Sequence, residues 1–301
     1  MIYLQVGDEI IEVPDWDHIS ARPNFVNDLD VNNKKLEKII GYYDSTQKRT
    51  CGLNNCHTPH FKGYIVVTND GSETNIGNHC GKKYFDVDFE NMSSEFINAL
   101  EYEQLKAAAI KAKGNIFDLW NKINTLTVGA KNINWAITKF RALNDDNVIG
   151  TTAYRRLRTM VANRTGNVLF ARPPTQDEID YAVSANQPAP QSVDVVVGQI
   201  SNIDCLSREN NLEDLFEKSI RGAVQQLQDC DPQKKSRTQL RPIVNGISSL
   251  DRNMDMAIQK LELARQFLRK ENLEQLINGM TIDENVSRKD IQRYQSFVEG
   301  L

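Results

Sequence analysis

Apolar residues follow two rhythms along this chain, and the change between them falls near Phe85. Before it, the stretches YLQV and EIIEV, within residues 2–14, read as two short strands joined by a turn at Gly7-Asp8. Residues 24–33, crowded with Asn and Asp, read as a loop. Residues 33–43 set Leu36, Ile39 and Ile40 at helical spacing and predict a short helix. GYIVVTNDGSETNIG then predicts a β-hairpin that turns at Asn69-Asp70-Gly71.

After Phe85 the spacing is helical almost to the end. Phe96, Leu100, Ala108, Ile116, Trp120 and Ile123 predict a helix over about 92–125, with Gly114 as its weak point. Further helices are expected over 133–144 and from Thr151 or Thr152 to Asn163. Residues 171–192 hold four prolines and read as a linker, interrupted by a short helix that Thr175 and Glu178 begin as a capping box. Val193, Val196, Val197, Ile200 and Ile203 suit a helix over 192–206, and Leu212, Phe216, Ile220, Ala223 and Leu227 suit another. Ile243, Ile247, Leu250, Met254, Ala257, Leu261, Ala264 and Leu268 are spaced alternately by four and three, the seam of a coiled coil, with Pro242 placed in the first turn. An antiparallel hairpin with the preceding helix is the expected use of that seam. Ser287 and Asp290 predict the cap of a last helix.

The expected architecture is an α+β head with a zinc-bound β-hairpin, then a mainly α-helical body with a coiled-coil-like helical hairpin. Its divisions are 1–90 (head), 91–170 (basic helices), 171–192 (linker) and 193–301 (helical bundle). With 40% hydrophobic and 25% charged residues, composition is ordinary for a globular protein. No run approaches the roughly 18 consecutive apolar residues of a membrane span. The N-terminal residues lack a basic segment and a long apolar run, so no signal peptide is expected and the cytoplasm is the expected location. In that reducing setting cysteines serve as metal ligands or packing groups.

Three of the five cysteines and three of the four histidines fall between Cys51 and Cys80. Tetrahedral zinc takes ligands from a tight turn and from a distant element that folds back. Cys51 and Cys56 supply the turn, Gly52 allows its tight backbone, and the hairpin returns Cys80 at the start of a helix. Over residues 48–85 this order of knuckle, hairpin and helix start resembles a treble-clef or zinc-ribbon finger. It departs from that pattern in its C-x4-C spacing and its adjacent His79-Cys80. The expected ligands of one structural zinc are Cys51, Cys56, His60 and Cys80, with His57 and His79 as alternates. Neighbours such as His79 and Cys80 seldom chelate one ion, because their side chains diverge.

The net charge of -4 is uneven: -7 over residues 1–102, +8 over 103–172 and -5 over 173–301. Such a middle suits something acidic, either nucleic acid or the chain's own flanks. Candidate phosphate contacts are Arg155, Arg156, Arg158 and Arg164, on a helix whose inward stripe is Tyr154, Leu157 and Val161. Lys48, Arg49, Lys82 and Lys83 form a second group at the finger's base. No nucleotide-loop, dinucleotide, serine-hydrolase or zinc-protease motif occurs. Asp15-Trp16-Asp17-His18 reads as a solvated loop. The expected function is that of a non-enzymatic accessory protein, binding DNA or RNA within a larger assembly. The alternative is an adaptor that docks protein partners through its finger and through Leu250, Met254, Leu261 and Leu268. Neither a membrane nor a small-molecule substrate is expected.

Overall fold

The structure, a computed structural model, describes residues 1–301. Contacts divide the chain into two units. One comprises Met1–Gly114 with Cys230–Val244, the other Asn115–Asp229 with Asn245–Leu301.

The first unit is built on an antiparallel sheet in the order β2-β1-β3-β4-β5. The strands are β1 (Ile2–Val6), β2 (Glu9–Val13), β3 (Leu36–Thr50), β4 (Pro59–Thr68) and β5 (Glu73–Ile76). The turns at Gly7 and at Asn69-Asp70-Gly71 form as expected, with positive φ at both glycines. Residues 33–43 are not a helix; they open β3. Bulges between Leu36 and Lys38 and between Ile39 and Gly41 each add a residue, so one face recurs every three positions instead of two. Leu36, Ile39 and Tyr42 therefore meet one core, while Ile40 and Tyr43 meet the other. The bulged strand imitates helical spacing.

One sheet face is closed by Ile19 of the single-turn α1 (Asp17–Ser20), with Trp16 and Phe25. Trp16 stands edge-on to Tyr43 at 5.1 Å, so Asp15–His18 is not simply a solvated loop. The other face carries α2 (Asn78–Gly114), which buries Phe85, Phe89, Phe96 and Leu100. Asp86, at φ 42° and ψ -125°, breaks α2 into a short piece bearing Cys80 and a long one. A side chain at Gly81 would come within 2.3 Å of the Phe89 ring, so glycine is required there. The long piece ends at Gly114, where the sequence placed its weak point. Arg241 and Arg237, at the start of α9 (Arg237–Ser248), clasp Glu101 and hold its carboxyl below the usual range.

The second unit surrounds a single apolar core. Its helices are α3 (Ile116–Asn124), α4 (Ile133–Leu143), α5 (Asp146–Ile149), α6 (Thr151–Ala162) and α7 (Gln176–Ser184), then α8 (Gly222–Asp229), α10 (Leu250–Phe267), α11 (Lys270–Ile282) and α12 (Arg288–Glu299). Asp214–Arg221, leading into α8, is wound as a π-helix. The capping box at Thr175 and Glu178 forms, and Ser287 caps α12. The Asp290 carboxylate reaches the other way, accepting from the amide (3.1 Å) and hydroxyl (2.7 Å) of Thr152 at the start of α6.

Two expectations fail here. Val193–Gln199 is β7, paired antiparallel with β6 (Asn167–Arg172), not a helix. Val193, Val195 and Val197 alternate inward while Asp194 and Val196 face out, so a β-branched run also contained helical spacing. The heptad seam is not one long coiled-coil helix. Ser249 separates α9 from α10, and Pro242 lies inside α9, beyond its first turn. From Leu250 onward the seam is buried in the unit's own core beside Phe216 and Ile220, and Phe140 stacks on Phe267.

Candidate metal centre

Cys51 follows the last residue of β3, and Cys56 ends the short turn after it. Backbone bonds fasten this knuckle to the sheet: Gly52 N donates to Asn75 O (2.8 Å), and Leu29 N donates to Gly52 O (2.8 Å). A Cβ on Gly52 would stand 2.1 Å from Thr74 Oγ1, so only glycine lets the turn lie this close. β4 and β5 then carry the chain out and back, and Cys80 arrives in the first turn of α2.

The three sulfurs lie within 4.8 Å of one another, a group that could hold a metal ion. Cys56 and Cys80 approach to 3.1 Å, and all three thiols are free. Cys51 and Cys80 are buried, whereas Cys56 is half-exposed. Burial pushes Cys51 and Cys80 up from the ordinary thiol value, although backbone amides of Leu53 and Gly77 face the Cys51 sulfur. For Cys80 burial outweighs the helix N-terminus. Cys56 is drawn down to about 7, chiefly by the Thr58 hydroxyl at 3.4 Å, with help from Cys80 and the Thr58 amide. The cluster thus pairs one readily ionised thiol with two that stay protonated until a cation replaces their protons.

His60 does not join the sulfurs. After Cys56 the chain runs straight into β4, where His60 pairs with Arg49. Its Nδ1 lies 3.0 Å from Thr58 O, which can only accept, so Nδ1 carries the proton. Nε2 is then the acceptor for the buried Tyr43 hydroxyl, and that oxygen accepts in turn from Asn75 Nδ2 at 3.2 Å. Asn75 also donates to Thr50 O at 2.8 Å. This chain of bonds ties the knuckle to the sheet, and Tyr43, Thr58 and Asn75 carried no sequence signal for the role. His57 is exposed at φ 52°, facing Asp28 at 3.4 Å, and His79 is exposed beside Cys80. Glu73, the one glutamate of the finger, is held by Arg22 through bonds of 2.5 and 2.9 Å and is not poised as a base.

The basic candidates separate. Arg156 turns inward, paired with Asp283 at 2.6 Å and lying 3.5 Å over the Phe170 ring. It is a structural residue, not an outward one as the helical stripe implied. Lys82 pairs with Glu90 at 2.6 Å, Arg49 covers Trp16 at 4.8 Å, and Arg158 donates to Asn144 at 2.8 Å. Lys48, Lys83, Arg155 and Arg164 are exposed and form no ion pair. The proposed docking residues Leu250, Met254, Leu261 and Leu268 are at most 4% exposed, because the core of their own unit occupies the seam. No helix is long and apolar enough to cross a membrane. The chain matches no family model, no curated protein and no solved structure.

Proposed function

We propose that Cys51, Cys56 and Cys80 bind one structural zinc ion. We further propose that the protein is a non-enzymatic accessory protein that binds nucleic acid within a larger assembly. The observation that carries the first part is the convergence of three sulfurs from two separate segments. Soft thiolates suit zinc, and the amides facing Cys51 and Cys56 favour the ionised sulfur. Knuckle, hairpin and helix start follow in treble-clef order. The fourth position falls to His79 or His57, because His60 is engaged by Tyr43. Metal analysis of the purified protein tests this: one zinc per chain is expected, and full occupancy in Cys56→Ser defeats the assignment.

The nucleic-acid reading rests on Lys48 and Lys83 in the first unit and Arg155 and Arg164 in the second, each exposed without an acidic partner. Labelled DNA and RNA titrated at rising salt should lose affinity steeply, and each Arg→Glu or Lys→Glu change should flatten the salt slope by about one. Arg156 is to be left intact, since removing it damages the fold. Absence of binding at low salt favours the adaptor reading. That reading has its own support: Leu169 and Val196 face each other across the β6–β7 pair and are 44% and 59% exposed.

A further inference from the structure

The second unit holds a cleft unrelated to the cysteine cluster. Ile137, Phe140 and Arg141 share one face of α4, and with Asn144 at its C-cap they wall a cavity of about 300 Å³. Phe140, Leu206 and Leu212 give it an apolar floor, and Arg141, Arg158 and Arg208 belong to its lining. Glu213 is the only carboxylate in that lining, and Arg141 engages it in a fork of 2.6 and 3.1 Å. Arg158 uses one nitrogen on Asn144 at 2.8 Å, which leaves its other donors open, and Arg208 is exposed without an ion pair. The lining therefore carries a surplus of two positive charges beside a half-buried aromatic ring.

We propose that this cleft binds a nucleotide, its phosphate held by Arg158 and Arg208 and its base resting on the Phe140 side. Guanidinium forks match phosphate oxygens in pairs, which makes arginine the fitting residue for such a group. A flat base suits the apolar floor, and the volume falls at the lower end of small-molecule sites. The same chemistry comes either as a free nucleotide or as one residue of a single strand; only the second source would join this cleft to the nucleic-acid reading above.

The test titrates the full-length protein with AMP, inorganic phosphate and a single-stranded oligonucleotide, by calorimetry at low salt. AMP should bind one per chain, more tightly than phosphate, and Arg208→Ala should weaken it at least tenfold. Arg208 supports no other residue, so thermal unfolding of that variant should match the parent. Phe140→Leu should weaken AMP but leave phosphate unchanged. Binding of the oligonucleotide alone, lost in Arg208→Ala, assigns the site to a strand. Binding of neither, binding indifferent to Arg208→Ala, or phosphate as tight as AMP overturns the proposal.

Discussion

Zinc titrated into the metal-free protein should release about 2.5 protons per ion at pH 7 and about 2.1 at pH 8. Cys51 and Cys80 lie above the ordinary thiol value because they are buried, so each surrenders a whole proton at either pH. Cys56, drawn down to about 7, is half ionised at pH 7 and has little left to release at pH 8. A neutral imidazole in the fourth position adds nothing. Three thiols at the ordinary value of 9.0 would instead release about 3 protons at pH 7 and about 2.7 at pH 8. Because the slope of affinity with pH equals the protons released, zinc affinity should rise about 200-fold from pH 7 to pH 8. Calorimetry in buffers of different ionisation enthalpy reads the proton count directly. Any residual binding by Cys56→Ser should release about 2 protons at both pH values. Release of one proton or fewer means that the three thiols do not act together. Release near 3 at both pH values means that Thr58 does not favour the Cys56 thiolate.

Other expectations are simpler to check. Of His57→Ala, His60→Ala and His79→Ala, only His57 or His79 should lower zinc affinity directly; His60→Ala should keep one zinc per chain but speed its loss to a chelator, since it loosens the knuckle. Glu178 sits at about 2, against 4.5 ordinarily, because Arg172 and then the Thr175 amide hold its charged form. Its folded value is depressed, so its contribution is full above 4.5 and vanishes as pH falls through about 2. Glu178→Gln should thus lower the melting temperature at pH 7 and lower it much less at pH 2. Leu261→Ala should cost about 2–5 kcal/mol in urea unfolding, because the residue is 4% exposed in the core. A smaller loss there would mean that the seam is not the unit's interior.

What the sequence made legible was local. The hairpin at Asn69-Asp70-Gly71, the capping box at Thr175 and the break after Gly114 each depend on residues a few positions apart, and each appears where expected. β3 and β7 both imitate helices in sequence, for a shared reason. Bulges in β3 and a run of valines in β7 carry apolar residues at spacings of three and four, and period alone cannot separate those from a helix. His60 has a ligand's distance from Cys56 in sequence. Its actual partner, Tyr43, lies on a neighbouring strand, and only the sheet register brings the two together. Arg156 was assigned to solvent from its place on the helix, but Asp283, far along the chain, draws it in. In both cases a polar side chain found a long-range partner that local pattern does not encode.

The same reasoning changes what the positive middle of the chain means. Its surplus of +8 suggested an external anion, yet several of its cations are paired within their own unit. Lys122 pairs with Asp251, Arg141 with Glu213, Arg156 with Asp283 and Arg172 with Glu178; all four acids belong to the acidic last third. Lys113 and Lys139 donate to the backbone carbonyls of Cys230 and Gly300. Much of the asymmetry is therefore a record of how the chain folds back on itself. Of the eight basic candidates, Lys48, Lys83, Arg155 and Arg164 stay exposed with no acidic partner. The two such cations of either unit would by themselves give a salt slope of only about -2 on duplex DNA.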